Sequence, residues 1–173
     1  PIGLPPPPVY KGAMSDAGEE RGNGRGGEEG GRARRGYHHG NLREALVEAA
    51  LPLIAERGPQ GFTLAEVARE AGVSGAAPYR HFKGREDLIA EMARRGFDLF
   101  ADLLERAWNG GEPSPISAFE KMSRAYLHFA RAEPGMYIAM FESGVTVGAD
   151  PALLAASDRA MEVMRRASEA LVM

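Results

Sequence analysis

The 173-residue sequence contains no cysteine and only one tryptophan. Without cysteine it can form no disulfide bond, thiolate metal site or cysteine nucleophile, and we expect the reducing cytoplasm as its location. It also lacks any apolar run near the roughly 20 residues that span a bilayer, so we expect no membrane partner. Its net charge of −3 and pI near 5.9 give no overall basic character. Any contact with nucleic acid must therefore come from a local basic patch.

Motifs of the common enzyme classes are missing as well. The sequence contains no Gly-rich phosphate loop, no paired metal-ligand motif and no nucleophile elbow, and these patterns mark many active sites. Its glutamates often lie beside arginines at helical spacing, which is typical of a solvated helix face. We therefore predict that the chain is not an enzyme and requires neither a metal ion nor another cofactor.

Residues 1–36 form a low-complexity segment. A run of four prolines and a long stretch of Gly, Glu and Arg leave almost nothing to bury, which predicts a disordered tail. Met14 is a candidate native start, in which case residues 1–13 would be a cloning remnant or an upstream extension. The basic residues around the end of this segment fit either a flexible arm that grips DNA or a merely solvated tail. They are Arg32, Arg34, Arg35, His38 and His39.

Helical periodicity begins at Asn41, which is a good N-cap residue. Apolar residues follow it at helical spacing, and Pro52 lies within this first helix, where we predict a kink without a break. A second helix begins at Thr63, which forms a capping-box pattern with Glu66, and it closes at Gly72. The pattern thus predicts two helices before residue 73.

Helices continue through the rest of the chain. Ser74 is predicted to cap a short third helix that runs to about Phe82, and a long helix follows at about 85–108. Three further helices come after it, of which the first is amphipathic and the second is short and largely buried, and no strand alternation is present. The predicted fold class is therefore all-α. A three-helix, helix-turn-helix head occupies residues 37–84, and a helical body occupies residues 85–173.

The stretch TLAEVAREAGVSGAAPYRHFKGREDL, residues 63–88, is the most specific pattern in the chain. Two short helices joined by a Gly-containing turn can present the second helix to the DNA major groove, although such a hairpin can also merely pack. Small residues let a helix approach base edges, and Tyr, Arg and Lys side chains hold phosphates. The small residues are Ser74, Gly75, Ala76 and Ala77, and the aromatic and basic cluster is Tyr79, Arg80, His81, Lys83 and Arg85.

Residues 40–97 resemble the N-terminal domain of TetR/AcrR-type bacterial transcriptional regulators. The resemblance lies in LREALVEAALPLIAERG, GFTLAEVAREAGVS and APYRHFKGREDLI, and EPGMYIAMFESG is similar to a ligand-domain segment of one branch. It implies a homodimer whose two heads read a palindromic double-stranded DNA operator, and a body that binds a small, mostly apolar effector. Pro52 departs from the family pattern. The chain also ends where members usually continue into dimer-interface helices, which leaves open whether the body is complete.

The resemblance also implies roles for single residues. Thr63 and its helix N-terminus would meet a phosphate, and Phe82 would lock the recognition helix into the core. Ser74, Gly75, Ala76 and Ala77 would lie in the major groove, and Tyr79, His81 and Lys83 would meet the DNA backbone. Arg80 joins the DNA-contact set because it lies on the predicted exposed face of the recognition helix.

Aromatic and methionine side chains of the body are candidates for a ligand cavity. Methionine suits adaptable pockets and aromatic rings supply shape, although ordinary core packing is the alternative for each of them. The candidates are Trp108, Phe119, Met122, Tyr126, Phe129, Met136, Tyr137, Met140 and Phe141.

These observations predict a ligand-responsive transcriptional regulator, a repressor that a small molecule releases from its operator. The alternative is a helical small-molecule-binding or adaptor protein that does not bind an operator. A mobility-shift assay against the upstream region of its own gene would separate the two. The sequence identifies neither the effector nor the operator, and it does not distinguish a repressor from an activator.

Overall fold

A computed structural model describes residues 41–172, and the predicted tail and basic arm lie outside these described residues. Within this range the chain forms helices and turns without any strand, which confirms the all-α prediction. The helices are α1 (Leu42–Arg57), α2 (Leu64–Glu70), α3 (Arg85–Trp108), α4 (Pro115–Ala132), α5 (Pro134–Phe141) and α6 (Pro151–Val172). Short 3-10 turns occupy Ala77–Arg80, Asn109–Gly111 and Val147–Ala149. Among these described helices, none combines the length and apolarity needed to cross a membrane.

Helix α1 begins at its predicted cap and continues through its proline. The Asn41 Oδ1 atom accepts a hydrogen bond from the main-chain N–H of Glu44 at 3.3 Å. The helix runs without interruption past Pro52, whose side chain faces solvent. The exposed position explains why the proline is tolerated, since water can reach the carbonyl that loses its helical donor.

Helix α3 is the central element that joins the head to the body. Its buried face includes Leu88, Met92, Phe100 and Leu104, each at most 1% exposed. It packs against α4, α5 and α6 of the body and also contacts α1 of the head. Helix α3 therefore forms part of the packing of both regions.

Helix α5 lies directly against the main chain of α1 at Gly135. A Cβ atom on this glycine would lie 2.5 Å from the carbonyl oxygen of Leu51 and 3.1 Å from its carbonyl carbon. Those atoms belong to a helix backbone, which cannot move aside as a flexible side chain can. Glycine is thus required for this close approach of body to head.

We expect Gly135→Ala to lower the free energy of unfolding by about 1–3 kcal/mol, because the new methyl group would push the two helices apart. Urea or thermal unfolding measures this loss. Gly148→Ala is the matched control, since a Cβ atom there meets nothing within 4 Å, and we expect a change within about 0.5 kcal/mol. Equal losses in the two variants would contradict the close approach.

Candidate nucleic-acid interface

Helix α2 begins with the predicted capping box. The main-chain N–H of Thr63 donates to Glu66 Oε2 at 2.9 Å, and the N–H of Glu66 donates to Thr63 Oγ1 at 3.2 Å. The Thr63 hydroxyl also donates to Glu66 Oε2 at 3.0 Å, and Arg57 donates to Glu66 Oε1 at 3.0 Å. The hydrogen bond from the main-chain N–H of Thr63 has the largest effect on the Glu66 carboxyl, and together with the bond from the Thr63 hydroxyl it lowers the pKa of Glu66. A phosphate at Thr63 would therefore lie beside an ionised carboxylate that Arg57 partly neutralises.

The turn after α2 is closed by glycine. Gly72 has a φ of 69°, in the left-handed region where residues other than glycine are strained. The N–H of Val73 then donates back to the carbonyl oxygen of Ala68 at 2.9 Å, which satisfies one of the free carbonyls at the end of α2. This turn fixes the direction in which the next segment leaves.

The recognition segment, which we define as residues 74–83, contains a shorter helix than predicted. Only Ala77–Arg80 are helical, in a 3-10 turn, and no side chain caps it. The prediction of a helix capped by Ser74 and running to Phe82 was wrong. Pro78 explains the difference, because it has no N–H to donate to the carbonyl of Ser74. The N–H of Ala77 bonds that carbonyl instead at 2.9 Å, which is the 3-10 spacing.

The small residues of this segment divide into exposed and buried positions. Ser74, Gly75 and Ala76 are exposed, so their surfaces are open to a partner. Ala77 is only 9% exposed and Pro78 is buried beside it. The prediction that Ala77 faces the groove is therefore corrected, because its methyl group packs against the protein.

The aromatic and basic residues that follow are mostly exposed. Tyr79 is 62% exposed despite its large ring, and Arg80, His81 and Lys83 also face solvent. The hydrogen bonds that the described protein makes to His81 and Lys83 use their main-chain atoms. The four side chains form one outward-facing patch of hydroxyl, guanidinium, imidazole and ammonium groups, which are groups that bind phosphates.

Arg85 is the exception in the predicted cluster. Its Nη1 atom donates to the carbonyl oxygens of Gln60 and Phe62, each at 3.2 Å, and its Nη2 atom contacts the Gln60 side chain. Arg85 thus holds the loop between α1 and α2 against the start of α3. Its assignment to the aromatic and basic cluster is corrected, because its guanidinium binds the main chain of the head at Gln60 and Phe62.

Beneath the outward patch, Phe82 anchors the segment and Arg43 covers it. Phe82 is 1% exposed, and the guanidinium carbon of Arg43 lies 4.7 Å from the centre of its ring, within cation–π range. Arg43 also donates to the carbonyl oxygen of His81 at 3.1 Å and to Glu91 Oε2 of α3 at 3.2 Å. Sequence reasoning missed Arg43 and Glu91, because their partners lie far apart in the chain and no local pattern signals the pairing.

Glu91 is the charged residue at the centre of this support. It is 9% exposed and accepts hydrogen bonds from Arg94 at 3.0 Å and Arg95 at 2.8 Å as well as from Arg43. Burial opposes its ionisation, but the hydrogen bonds from Arg94, Arg95 and Arg43 outweigh burial and lower the pKa of the Glu91 carboxyl to about 2. The head is therefore held to α3 by a carboxylate that stays ionised.

The body contains an apolar groove of about 330 Å³ between α3, α4 and α6. Three predicted cavity residues, Phe119, Met122 and Tyr126, line it. The other predicted residues lie outside the lining of this groove: Trp108, Phe129, Met136, Tyr137, Met140 and Phe141. Side chains that the prediction missed complete the lining: Leu104, Ser123, Leu127, Met164 and Ser168.

The residues that do not line the groove have other surroundings. Trp108, Phe129, Met136 and Met140 are at most 6% exposed and belong to the hydrophobic core, as the alternative of ordinary packing held. The Tyr137 hydroxyl lies 3.3 Å from that of Tyr126, which lines the groove. Phe141 is 42% exposed, and its ring packs edge-on against Phe97.

Two family models match this sequence. One is described as bacterial regulatory proteins of the tetR family and matches residues 46–92. This range includes α2, the whole recognition segment and Glu91, but not Arg43. The other is described as a tetracyclin repressor-like C-terminal domain and matches residues 119–172. The two matches fall on the helix-turn-helix region and on the helical body.

Individual proteins are similar over longer stretches. The chain is 30% identical over 129 residues to the uncharacterized HTH-type transcriptional regulator TtgW of Pseudomonas putida, covering 71% of this chain and 91% of that protein. It is 31% identical over 104 residues to the uncharacterized HTH-type transcriptional regulator YobS of Bacillus subtilis, covering 58% of this chain and 51% of YobS. A solved structure of a protein of unknown function from Rhodococcus sp. RHA1 is 34% identical, with a TM-score of 0.66, covering 80% of this chain and 72% of that one. The chain therefore spans about half the length of curated relatives such as YobS.

Proposed function

Because the chain belongs to the TetR family of bacterial regulatory proteins, we propose that it is a DNA-binding transcriptional regulator that acts in the cytoplasm as a repressor. The observation that carries this proposal is the exposed recognition segment, which is bonded to α1 and α3. Ser74, Gly75 and Ala76 offer a small-residue surface for base edges, while the outward patch at Tyr79–Lys83 offers groups for phosphates. Phe82 fixes the segment from beneath. We propose no catalytic role.

The proposed partner is a palindromic operator bound by a homodimer. Two copies of the recognition segment would have to lie about 34–36 Å apart, or a multiple of that distance, to enter major grooves on one face of the duplex. Thr63 would add a phosphate contact at the start of α2, with Arg57 offsetting the charge of Glu66. The outward patch would set the position on the backbone, and the small residues would read the bases.

The proposed effector is a small, mostly apolar molecule. It would enter the groove between α3, α4 and α6, where Phe119, Met122, Leu127 and Met164 supply apolar walls. Since α3 joins this groove to the head, a ligand that prefers one position of α3 would favour one spacing of the two heads. The free energy of operator binding would become less favourable by up to the difference between the ligand's binding free energies for the two states.

The experiment that tests this function is selection of DNA from genomic fragments by the purified chain, followed by sequencing. We expect an enriched palindrome with half-sites about 10 base pairs apart, centre to centre, or a multiple of that. A ligand screen for release of the selected operator then tests the effector. If no sequence is enriched over input DNA, operator binding is wrong and the alternative of a ligand-binding or adaptor protein takes its place.

We expect Tyr79→Phe to weaken binding to the selected operator and to a scrambled duplex by the same amount, about 1 kcal/mol or about fivefold in dissociation constant. The hydroxyl of this 62% exposed residue would bond a phosphate, and phosphate contacts carry no sequence information. Fluorescence anisotropy titrations on both duplexes measure the change. A loss confined to the operator would place Tyr79 at a base instead.

A further inference from the structure

A run of alternating charges begins at the recognition segment and enters α3. The main-chain oxygen of His81 accepts a hydrogen bond from Arg43 at 3.1 Å, and Arg43 also donates to Glu91 at 3.2 Å. Glu91 in turn accepts from Arg94, one turn further along α3, at 3.0 Å. Arg43 thus contacts the segment and α3 at once, although it belongs to α1.

The run continues from α3 to α6. Arg94 donates to Asp98 at 2.9 Å, and Arg159 of α6 donates to the other oxygen of Asp98 at 3.2 Å. Arg159 also contacts Asp102 on the next turn of α3. We name the whole run the ion-pair chain: it comprises Arg43, Glu91, Arg94, Asp98 and Arg159.

Each carboxylate in the ion-pair chain is shared by guanidinium groups of two helices. Glu91 accepts from Arg43 of α1 and from Arg94 and Arg95 of α3, and Asp98 accepts from Arg94 of α3 and Arg159 of α6. An arginine that binds one oxygen of a carboxylate limits the rotamers of that carboxylate side chain. It thereby limits where the other oxygen can accept a hydrogen bond. The position of one group therefore restricts the next, and networks of this kind have more effect than isolated surface pairs.

We propose that the ion-pair chain couples the position of α6 to the orientation of the recognition segment, with Arg43 as the positioning residue at the DNA end. Movement of α6 away from α3 would take Arg159 from Asp98, and the freed Asp98 oxygen would draw Arg94 away from the position in which it binds Glu91. Arg95 would still hold Glu91, but Glu91 would be less fixed. Arg43 would then hold the His81 carbonyl less firmly. Only the affinity readout of this inference rests on the proposed DNA-binding function.

The first test measures hydrogen exchange of the 173-residue chain without DNA. The N–H groups of His81 and Phe82 both donate to the Pro78 carbonyl, at 3.0 and 2.9 Å, so their exchange reports the order of the segment. We expect Arg159→Gln to speed their exchange about two- to fivefold, the range that a largely exposed ion pair can supply.

Arg166→Gln is the matched control for this test. Arg166 also joins α6 to a carboxylate of α3, that of Glu105, and its side chain is 43% exposed, against 49% for Arg159. It lies outside the ion-pair chain, so we expect no change in exchange at His81 and Phe82. Equal effects of the two variants, or no effect of either, would overturn the coupling.

The second test measures affinity for a duplex that the wild-type chain selects from a random-sequence pool. We expect Arg43→Gln to weaken binding about tenfold or more, because two charge-assisted hydrogen bonds are lost. Arg43→Lys should lie between this variant and the wild type, since lysine keeps the charge without the planar fork. Unchanged thermal unfolding of Arg43→Lys would separate positioning from loss of the fold.

A double-mutant cycle then tests whether Arg43 and Arg159 act through one another. Arg159→Gln should weaken binding when it is made in the wild type, but it should weaken binding no further when it is added to Arg43→Gln. Arg166→Gln should leave the affinity unchanged both in the wild type and in Arg43→Gln. Additive losses from Arg43→Gln and Arg159→Gln would overturn the coupling. If the wild-type chain selects no duplex, the proposed function fails, and the hydrogen-exchange test still decides the inference.

Discussion

An Ala76→Phe variant is expected to keep its helical circular dichroism and to lose binding to the selected operator by at least about a hundredfold. Ala76 is exposed and precedes the buried pair Ala77 and Pro78. A phenyl ring there must project outward, because the inner side of the segment is already filled. It would hold the segment away from the base edges, which a small residue lets it approach.

Ala155→Phe on α6 is the control for added bulk, since Ala155 is also exposed and belongs to neither the recognition segment nor the groove. We expect its operator affinity to stay within about twofold of the wild type, which is within about 0.5 kcal/mol. Anisotropy titrations on both variants make the comparison. Full operator binding by Ala76→Phe would show that the segment does not enter a groove.

The largest stability loss is expected for Glu91→Gln, roughly 3 kcal/mol in the free energy of unfolding. Glu91 is 9% exposed and is bonded by three arginines. The substitution leaves Arg43, Arg94 and Arg95 close together without their shared carboxylate. Glu105→Gln is the matched control on the same helix, because Glu105 pairs with Arg166 in an exposed position, and we expect a loss below about 1 kcal/mol.

The difference in stability between the wild type and Glu91→Gln is also expected to depend on pH. The pKa of Glu91 is lowered from 4.5 to about 2, so its contribution is fully present above pH 4.5 and is lost as the pH falls through about 2. The stability difference between wild type and Glu91→Gln should therefore shrink as the pH is lowered from 4.5 towards 2. Urea unfolding at several pH values measures it. A difference that stays constant would show that Glu91 titrates as an ordinary carboxyl.

The features that the sequence predicts well are those that depend on neighbouring residues. The capping box at Thr63 and Glu66 and the glycine turn at Gly72 follow from spacings of a few residues, and both form as expected. The all-α class follows from periodicity over each helix. The shortened recognition helix also has a local cause, because Pro78 lacks the N–H that the Ser74 carbonyl would need as its helical donor.

Other features depend on contacts between distant parts of the chain. Whether Ala77 faces inward and whether Arg85 points into the head are decided by the loops and helices that pack around them. The support of Phe82 by Arg43 joins residues 39 positions apart, and the partner Glu91 lies on a third element. Of the nine predicted cavity residues only Phe119, Met122 and Tyr126 line this groove, because core and cavity walls share the same composition.

The exposed small-residue stretch at residues 74–76 limits how much of an operator one head can inspect. Three residues extend at most about 10 Å, which is about three base-pair steps of about 3.4 Å. In the proposed complex each half-site would be identified directly over two or three base pairs. The remaining discrimination would then come from how readily the duplex bends and how wide its grooves are. In operators of this protein, a base change outside a short core should therefore reduce affinity less than a change that alters the flexibility of the duplex.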